Sequence, residues 1–279
     1  MVATANAVKL AGGRPVLCDI ENQNLCLDPN QLLSKINKRT KAVIYVTLNG
    51  RSGKIDKVKK ICKQKKIFLL EDSAHSIGSY YKNKHHGTFG IASSFSLSMP
   101  KLITTGQGGF VVTNNKKFAA KINEIKNFGR RSDGNDIYFS TGYNFKFTDI
   151  QAALGLSQLK DIRQRIKKKR QIFKIYFNKL SKINGISMFK FKDKETPWFC
   201  DIYIKNPKKL QEYLYSFNIV SRLVYPPLNS LKILKTKGDF KNSTHYCNRG
   251  IWLPSSISLN KKEIEFIISK IKNFMNNNV

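Results

Sequence analysis

The stretch AVIYVTLNGRSGKIDKVKKICKQKKIFLLED, residues 42–72, decides the fold class. It reads as an apolar strand (42–48), an amphipathic helix (54–66) and a second apolar strand (67–72). Short apolar strands separated by amphipathic helices imply a largely parallel sheet covered by helices. The pattern continues outward in both directions. Upstream, residues 3–12 predict a helix ending at Gly12 and Gly13, and PVLCDI (15–20) predicts a strand. LDPNQLLSKI (27–36) predicts a helix opened by Asp28 and Pro29, with the proline in its first turn. Downstream, ASSFSL (92–97) and GFVVTN (109–114) predict two further strands, followed by a helix over 116–127.

The second half reads differently. Residues 147–180 form one long helical pattern carrying the basic run 167–170, whose bland reading is a solvated helix face. Strands are expected at 187–189, 198–204 and 222–226, and helices at 207–217 and 262–275. The expectation is therefore an α/β chain. A large, mainly parallel domain spans 1–160, a connecting helix spans 161–181, and a smaller α+β domain spans 182–279.

The chain has 279 residues, 41% of them hydrophobic, so it can bury a sizeable core. Its 50 Lys+Arg against 18 Asp+Glu give a formal charge of +32. That balance raises nucleic acid, an anionic membrane or a phosphorylated substrate as partner. Lysine, however, is spread along the chain rather than gathered with arginine and aromatics, which argues against nucleic acid. No apolar run reaches the ~18 residues that span a bilayer. The five cysteines are widely spaced and form no CxxC pair, so neither a metal site nor a disulfide framework is expected, and a reducing cytoplasm fits.

Two short segments carry the chemistry. FLLEDSAHSIG (68–78) places Asp72 at the carboxyl end of a strand, where ligands gather in parallel sheets. FSLSMPKLITTGQGG (95–109) places Lys101 between a strand and a glycine-rich turn that lets backbone approach a ligand closely. Pyridoxal phosphate chemistry needs both groups: an amine for a Schiff base and a carboxylate that keeps the ring nitrogen protonated. The same lysine, once released, can act as a general base. Ser96, five residues before Lys101, offers a hydroxyl for the phosphate.

The segments VATANAVKLAGGRPVLCDI, LLEDSAHSIGSYYKNKHHGTFGIASSFSLSMPKLITTGQGGFVVTNN and GYNFKFTDIQAALGLSQL resemble the DegT/DnrJ/EryC1/StrS family. RLVYPPL and WLPSS extend the resemblance to nearly the whole chain. It implies a fold type I, pyridoxal 5'-phosphate-dependent sugar aminotransferase, most similar to members that aminate a nucleotide-linked 4-keto-6-deoxy sugar for polysaccharide biosynthesis. Glutamate is the implied donor. By position, Lys101 matches the Schiff-base lysine, Asp72 the acid beneath the pyridine nitrogen, and His75 the residue against the cofactor near its phenolic oxygen. Ser96 matches a phosphate-binding serine. Asn144, in GYNFKF, matches an asparagine that reaches the neighbouring subunit's cofactor phosphate, which implies a homodimer with shared sites. Asn49 and Arg51 are candidates for contact with sugar or its phosphates.

His85 and His86, in KNKHHG, are expected to be solvated in a hairpin turn, and Tyr225 has no assigned role. Relatives carry a further segment ahead of the match to VATANAV, with a Ser-Gly-Thr motif that cradles the phosphate at a helix N-terminus. A chain lacking that segment is expected to hold the cofactor less tightly. The alternative reading is a non-catalytic remnant, or a subunit that completes a partner's site through Asn144.

Overall fold

The computed structural model describes residues 1–234 and 236–278. Helix α1 (Ala3–Leu10) leads into an irregular stretch and then α2 (Pro29–Lys35). The Asp28 carboxylate caps α2 by accepting the Asn30 N–H at 2.8 Å, and Pro29 fills the first position, where no N–H needs a partner. The deciding stretch folds as read. β1 (Ala42–Val46) and β2 (Phe68–Asp72) pair in parallel from Ala42–Phe68 through Val46–Asp72. Between them α3 (Ile55–Gln64) buries Ile55, Val58, Ile61 and Cys62, one face of a helix by spacing, in a core shared with Val43, Tyr45 and Leu69.

A small hairpin of β3 (Tyr80–Tyr81) and β4 (Lys84–His85) follows. Lys82 and Asn83 turn it with φ of 46° and 64°, the left-handed pair that a two-residue hairpin requires. β5 (Ala92–Ser96) joins β2 in parallel, and β6 (Gly109–Val112) closes the sheet antiparallel to β5, in the order β1-β2-β5-β6. α4 (Lys116–Lys126), α5 (Asp149–Leu159) and α6 (Ile162–Leu180) complete this half.

The remaining chain builds a second, antiparallel sheet. β7 (Cys200–Tyr203), β8 (Arg222–Leu223) and β9 (Gly250–Leu253) lie in the order β7-β9-β8. α7 (Pro207–Tyr215), α8 (Lys241–Cys247) and α9 (Lys261–Asn278) accompany them. Its core packs Ile202 and Ile251 against Leu210, Leu214, Ile268 and Ile271. We call the two halves the large and small lobes.

Three expectations change. Residues 15–20 form no strand beyond a single Ile20–Leu27 bridge, because no neighbouring strand offers them a ladder. Instead, the buried Asp19 carboxylate accepts the N–H groups of Asn242 and Ser243 at the start of α8. Residues 187–189 contribute only a Ser187–Tyr203 bridge. The long helix breaks at Lys160–Asp161, where the chain tightens through Asp161 N–H to Gln158 C=O and Asp161 adopts φ −101° and ψ 6°. Aspartate is a poor helix-interior residue and a good start residue, which suits a break there. Beyond it, α6 is more than a connector, since Ile172, Phe173, Tyr176 and Leu180 belong to the small-lobe core. Among the described residues, no helix is long and apolar enough to cross a membrane.

Candidate active site

The carboxyl ends of β2 and β5 open side by side, with Asp72 level with Ser94. Asp72 is half-buried, and both of its oxygens are engaged. Thr4 Oγ1, on α1, donates to Oδ2 at 2.6 Å, and the Ala74 N–H donates to Oδ1 at 3.2 Å. The segment after β5 folds back over the strand end. Thr105 N–H and Thr104 Oγ1 both donate to the Leu97 carbonyl, and Leu97 N–H donates to Gly108 C=O. Gly106 and Gly108 adopt φ of 77° and 125°, values that glycine alone takes readily, so the TTGQGG run can return the chain into β6. Gln158 holds this loop from α5, donating to Thr104 C=O at 2.6 Å and accepting from Thr104 N–H at 3.2 Å.

Lys101 sits on that loop. Burial pushes its ammonium pKa down to about 8, while the Asp72 carboxylate acts to raise it. His75, three residues past Asp72, is pushed well below the usual imidazole range, chiefly by burial. The Asn49 N–H donates to His75 Nδ1 at 3.2 Å, which leaves the proton of the neutral ring on Nε2. Trp198 covers both groups. Its ring centroid lies 4.0 Å from that of His75 and 3.7 Å from Lys101 Nζ. Its indole N–H donates to the Pro100 carbonyl at 2.6 Å. A partly open cavity of about 10 Å3, the size of one water, remains between these side chains.

The structure thus brings Asp72, His75 and Lys101 together. Ser96 stands at the end of β5, with Oγ 3.1 Å from Ser98 Oγ and accepting the Ser98 N–H at 3.3 Å. Asn144 lies apart, exposed and bridged to Asn127.

The structure places Asn49 and Arg51 in the interior. Both are buried, at 0% and 1% exposure, and turned into the seam between the lobes. Asp201 engages Arg51 Nη1 at 2.9 Å and Nη2 at 2.7 Å, and the Phe191 ring stacks 4.5 Å from the guanidinium carbon. The Asn49 amide is spent on the backbone of Trp198 and Phe199 and on Asp201. His86 is also buried rather than solvated, with Nε2 3.1 Å from Ser52 Oγ. The basic run on α6 is not wholly a solvated face, because Lys169 is buried and donates to the carbonyls of Trp198 and Ser255.

Sequence reasoning missed Thr4 and Trp198. Thr4 lay in a segment read only as a helix, and Trp198 in one read only as a strand. Nothing local to either residue signals contact with a group 68 or 97 positions away.

Comparison with known proteins gives the family and the fold. The DegT/DnrJ/EryC1/StrS aminotransferase family model matches residues 1–272. A GDP-perosamine synthase of Escherichia coli O157:H7 is 32% identical over 280 residues, covering 98% of this chain and 76% of that protein. The UDP-4-amino-4,6-dideoxy-N-acetyl-beta-L-altrosamine transaminase of Helicobacter pylori is 32% identical over 289 residues, covering 97% and 75%. The solved structure of Helicobacter pylori PseC, an aminotransferase of pseudoaminic acid biosynthesis, superposes with a TM-score of 0.93 at 29% identity, covering 99% of this chain and 78% of that one.

Proposed function

The chain belongs to the DegT/DnrJ/EryC1/StrS aminotransferase family, whose members are pyridoxal phosphate-dependent enzymes of fold type I, and on that premise we propose that it aminates a nucleotide-linked 4-keto-6-deoxy sugar with glutamate as donor. The relatives named above, a GDP-perosamine synthase and a UDP-sugar transaminase, support the substrate class. The observation that carries the reading is the placement of Lys101, a half-buried amine on the loop after β5, 3.7 Å from the Trp198 ring centroid and within the field of Asp72 on the neighbouring strand end.

The donor set fits the cofactor. Pyridoxal phosphate, when bound, supplies an aldehyde that condenses with amines and a ring that takes up electrons from the carbon beside the nitrogen. An amine with a pKa of about 8 is roughly one-tenth unprotonated at pH 7, a far larger share than an ordinary lysine has, so a fraction of Lys101 Nζ carries a lone pair for attack or for accepting a proton. The Asp72 carboxylate, fixed in direction by Thr4 and the Ala74 N–H, is the partner for the ring nitrogen. His75 presents a neutral ring with its proton on Nε2, and its ring packs against the Trp198 ring that covers Lys101. Ser96 is assigned to the phosphate.

Asn144 is assigned to the site of a second copy. In the sequence on either side of it, Ile137, Phe139, Tyr143, Phe145, Ile150 and Leu156 are each at least half exposed, apolar surface that self-association would bury. We divide the chain into a large domain (1–160) and a small domain (182–279), with the helix 161–181 linking them and packing its apolar face into the small-lobe core.

The test is spectroscopic and then chemical. Wild type with pyridoxal phosphate gains an absorption band at the visible edge, and Lys101→Ala loses it. Incubation with glutamate and the keto sugar then consumes glutamate in step with amino-sugar formation. Identical spectra for wild type and Lys101→Ala would remove Lys101 from the chemistry.

A further inference from the structure

Trp198 belongs to the small lobe by sequence and to the large lobe by contact. It precedes β7, and the segment 194–199 is inserted into the large lobe. The Thr196 N–H donates to Ser79 Oγ at 2.7 Å, Thr196 Oγ1 donates to Gly78 C=O at 2.7 Å, and Glu195 Oε1 accepts the Ser52 N–H at 2.7 Å. At its end, almost every polar atom of Trp198 and Phe199 is held. Asn49 Oδ1 accepts both of their N–H groups at 2.9 Å, and Asn49 Nδ2 donates to Phe199 C=O at 3.0 Å. The Trp198 carbonyl accepts from Lys169 Nζ, and the indole N–H is fixed on Pro100 C=O, one residue before Lys101.

Two of these holding groups are costly to place. Asn49 adopts φ 56° and ψ 23°, left-handed geometry that asparagine tolerates better than most residues. Lys169 is an ammonium at 9% exposure whose hydrogen bonds run to two carbonyls, those of Trp198 and Ser255, and not to a carboxylate. Burying an amine for two carbonyl contacts is expensive, and an uncharged side chain would fill the space at less cost. What the pair achieves is the fixed position of one indole ring, 3.7 Å from Lys101 Nζ and 4.0 Å from the His75 ring.

We infer that Trp198 is a positioning residue for the Lys101 amine, and that Asn49 and Lys169 hold it in place across the seam between the lobes. The inference rests on Lys101 being the reacting amine of the proposed function. Trp198 acts on Lys101 in two opposed ways. Its π face attracts the ammonium, and its bulk strips water from it. The titratable groups facing Lys101 are Asp72 and His75, while Arg165 donates to the neighbouring Leu102 carbonyl at 3.3 Å. With burial the dominant influence on Lys101, removing the ring admits water and favours the ammonium.

The experiment uses the cofactor-free protein, so its readout does not depend on turnover. Lysines are reductively methylated with formaldehyde and cyanoborohydride across neutral to alkaline pH, and the peptide bearing Lys101 is followed by mass spectrometry. Wild type is expected to show a midpoint near 8 at Lys101. Trp198→Ala moves that midpoint up by on the order of one pH unit, and Trp198→Phe retains most of the wild-type value. Asn49→Gly keeps the left-handed backbone accessible while deleting the amide, and it shifts the midpoint in the same direction, as does Lys169→Met. Should Asn49→Gly not fold, Lys169→Met decides alone. An unchanged midpoint in Trp198→Ala overturns the inference, and an unchanged midpoint in the holding variants overturns their part in it. A wild type with no cofactor band but a Trp198-dependent midpoint sinks the aminotransferase reading and leaves only the physical part of this one, the hold of Trp198 on the Lys101 amine. A normal band with a Trp198-independent midpoint does the reverse.

Discussion

His86 shows how far a residue's surroundings can depart from its local sequence. KNKHHG reads as a polar turn, yet the hairpin folds under itself and leaves His86 with no exposed surface. Burial pushes its pKa from 6.5 down to about 3, so it stays neutral in the folded protein. Once unfolded, it takes up a proton as the pH falls below 6.5. The unfolded state therefore binds more protons than the native state between those two values, and stability falls as pH falls. The expected slope is about 1.4 kcal/mol per pH unit for one such group. Urea denaturation should show this loss from about pH 6.5 toward 4.5, above the range in which Glu124 begins to contribute. His86→Asn should flatten it. His75, also buried and neutral, adds to the same slope and accounts for what remains in the variant. Asp72 and Lys101 were legible in the sequence because strand ends and glycine-rich turns are local signals. Asn49, Thr4 and Trp198 were not, because what defines them is a partner on a distant element.

At the scale of elements, the same division holds. β1, α3 and β2 were readable because apolar periodicity is dictated by each element's own buried face. The stretch 15–20 has strand-like composition, but a strand also needs a neighbour, and its polar groups went to α8 instead. The turn after β1 is the element that joins the lobes, and its constraint is visible only in three dimensions. Gly50 adopts φ 80°, and a Cβ built there would lie 2.2 Å from the Thr196 carbonyl oxygen and 2.8 Å from Ser79 Oγ. Both obstacles belong to the seam that also holds the Arg51–Asp201 pair, so neither can withdraw cheaply. Gly50→Ala is therefore expected to cost about 1–3 kcal/mol in chemical denaturation, combining backbone strain with displacement of 194–199. A loss of only a few tenths would mean that this seam yields easily, contrary to the rigid registration argued for Trp198.

For the whole molecule, the exposed apolar residues of 137–156 make the sharpest demand. Ile150 is 77% exposed and Leu156 62% exposed, on a helix whose capping box at Thr148 and Gln151 marks it as well formed. A formed helix that leaves such residues in water points to a covering surface, and a second copy supplies one with the same apolar residues. Wild type is expected to sediment as a dimer, and Ile150→Glu with Leu156→Glu as a monomer that still unfolds cooperatively. Association alone does not show that the copies share sites, but mixing two inactive variants does. Lys101→Ala lacks the amine and Asn144→Ala lacks the arm that reaches across. If Asn144 serves the other copy, a mixed dimer carries one site lacking both groups and one site with both intact. Activity then returns on mixing, approaching half of the wild-type value per mixed dimer. If Asn144 serves its own chain, every site in every dimer lacks one group, and mixing restores nothing.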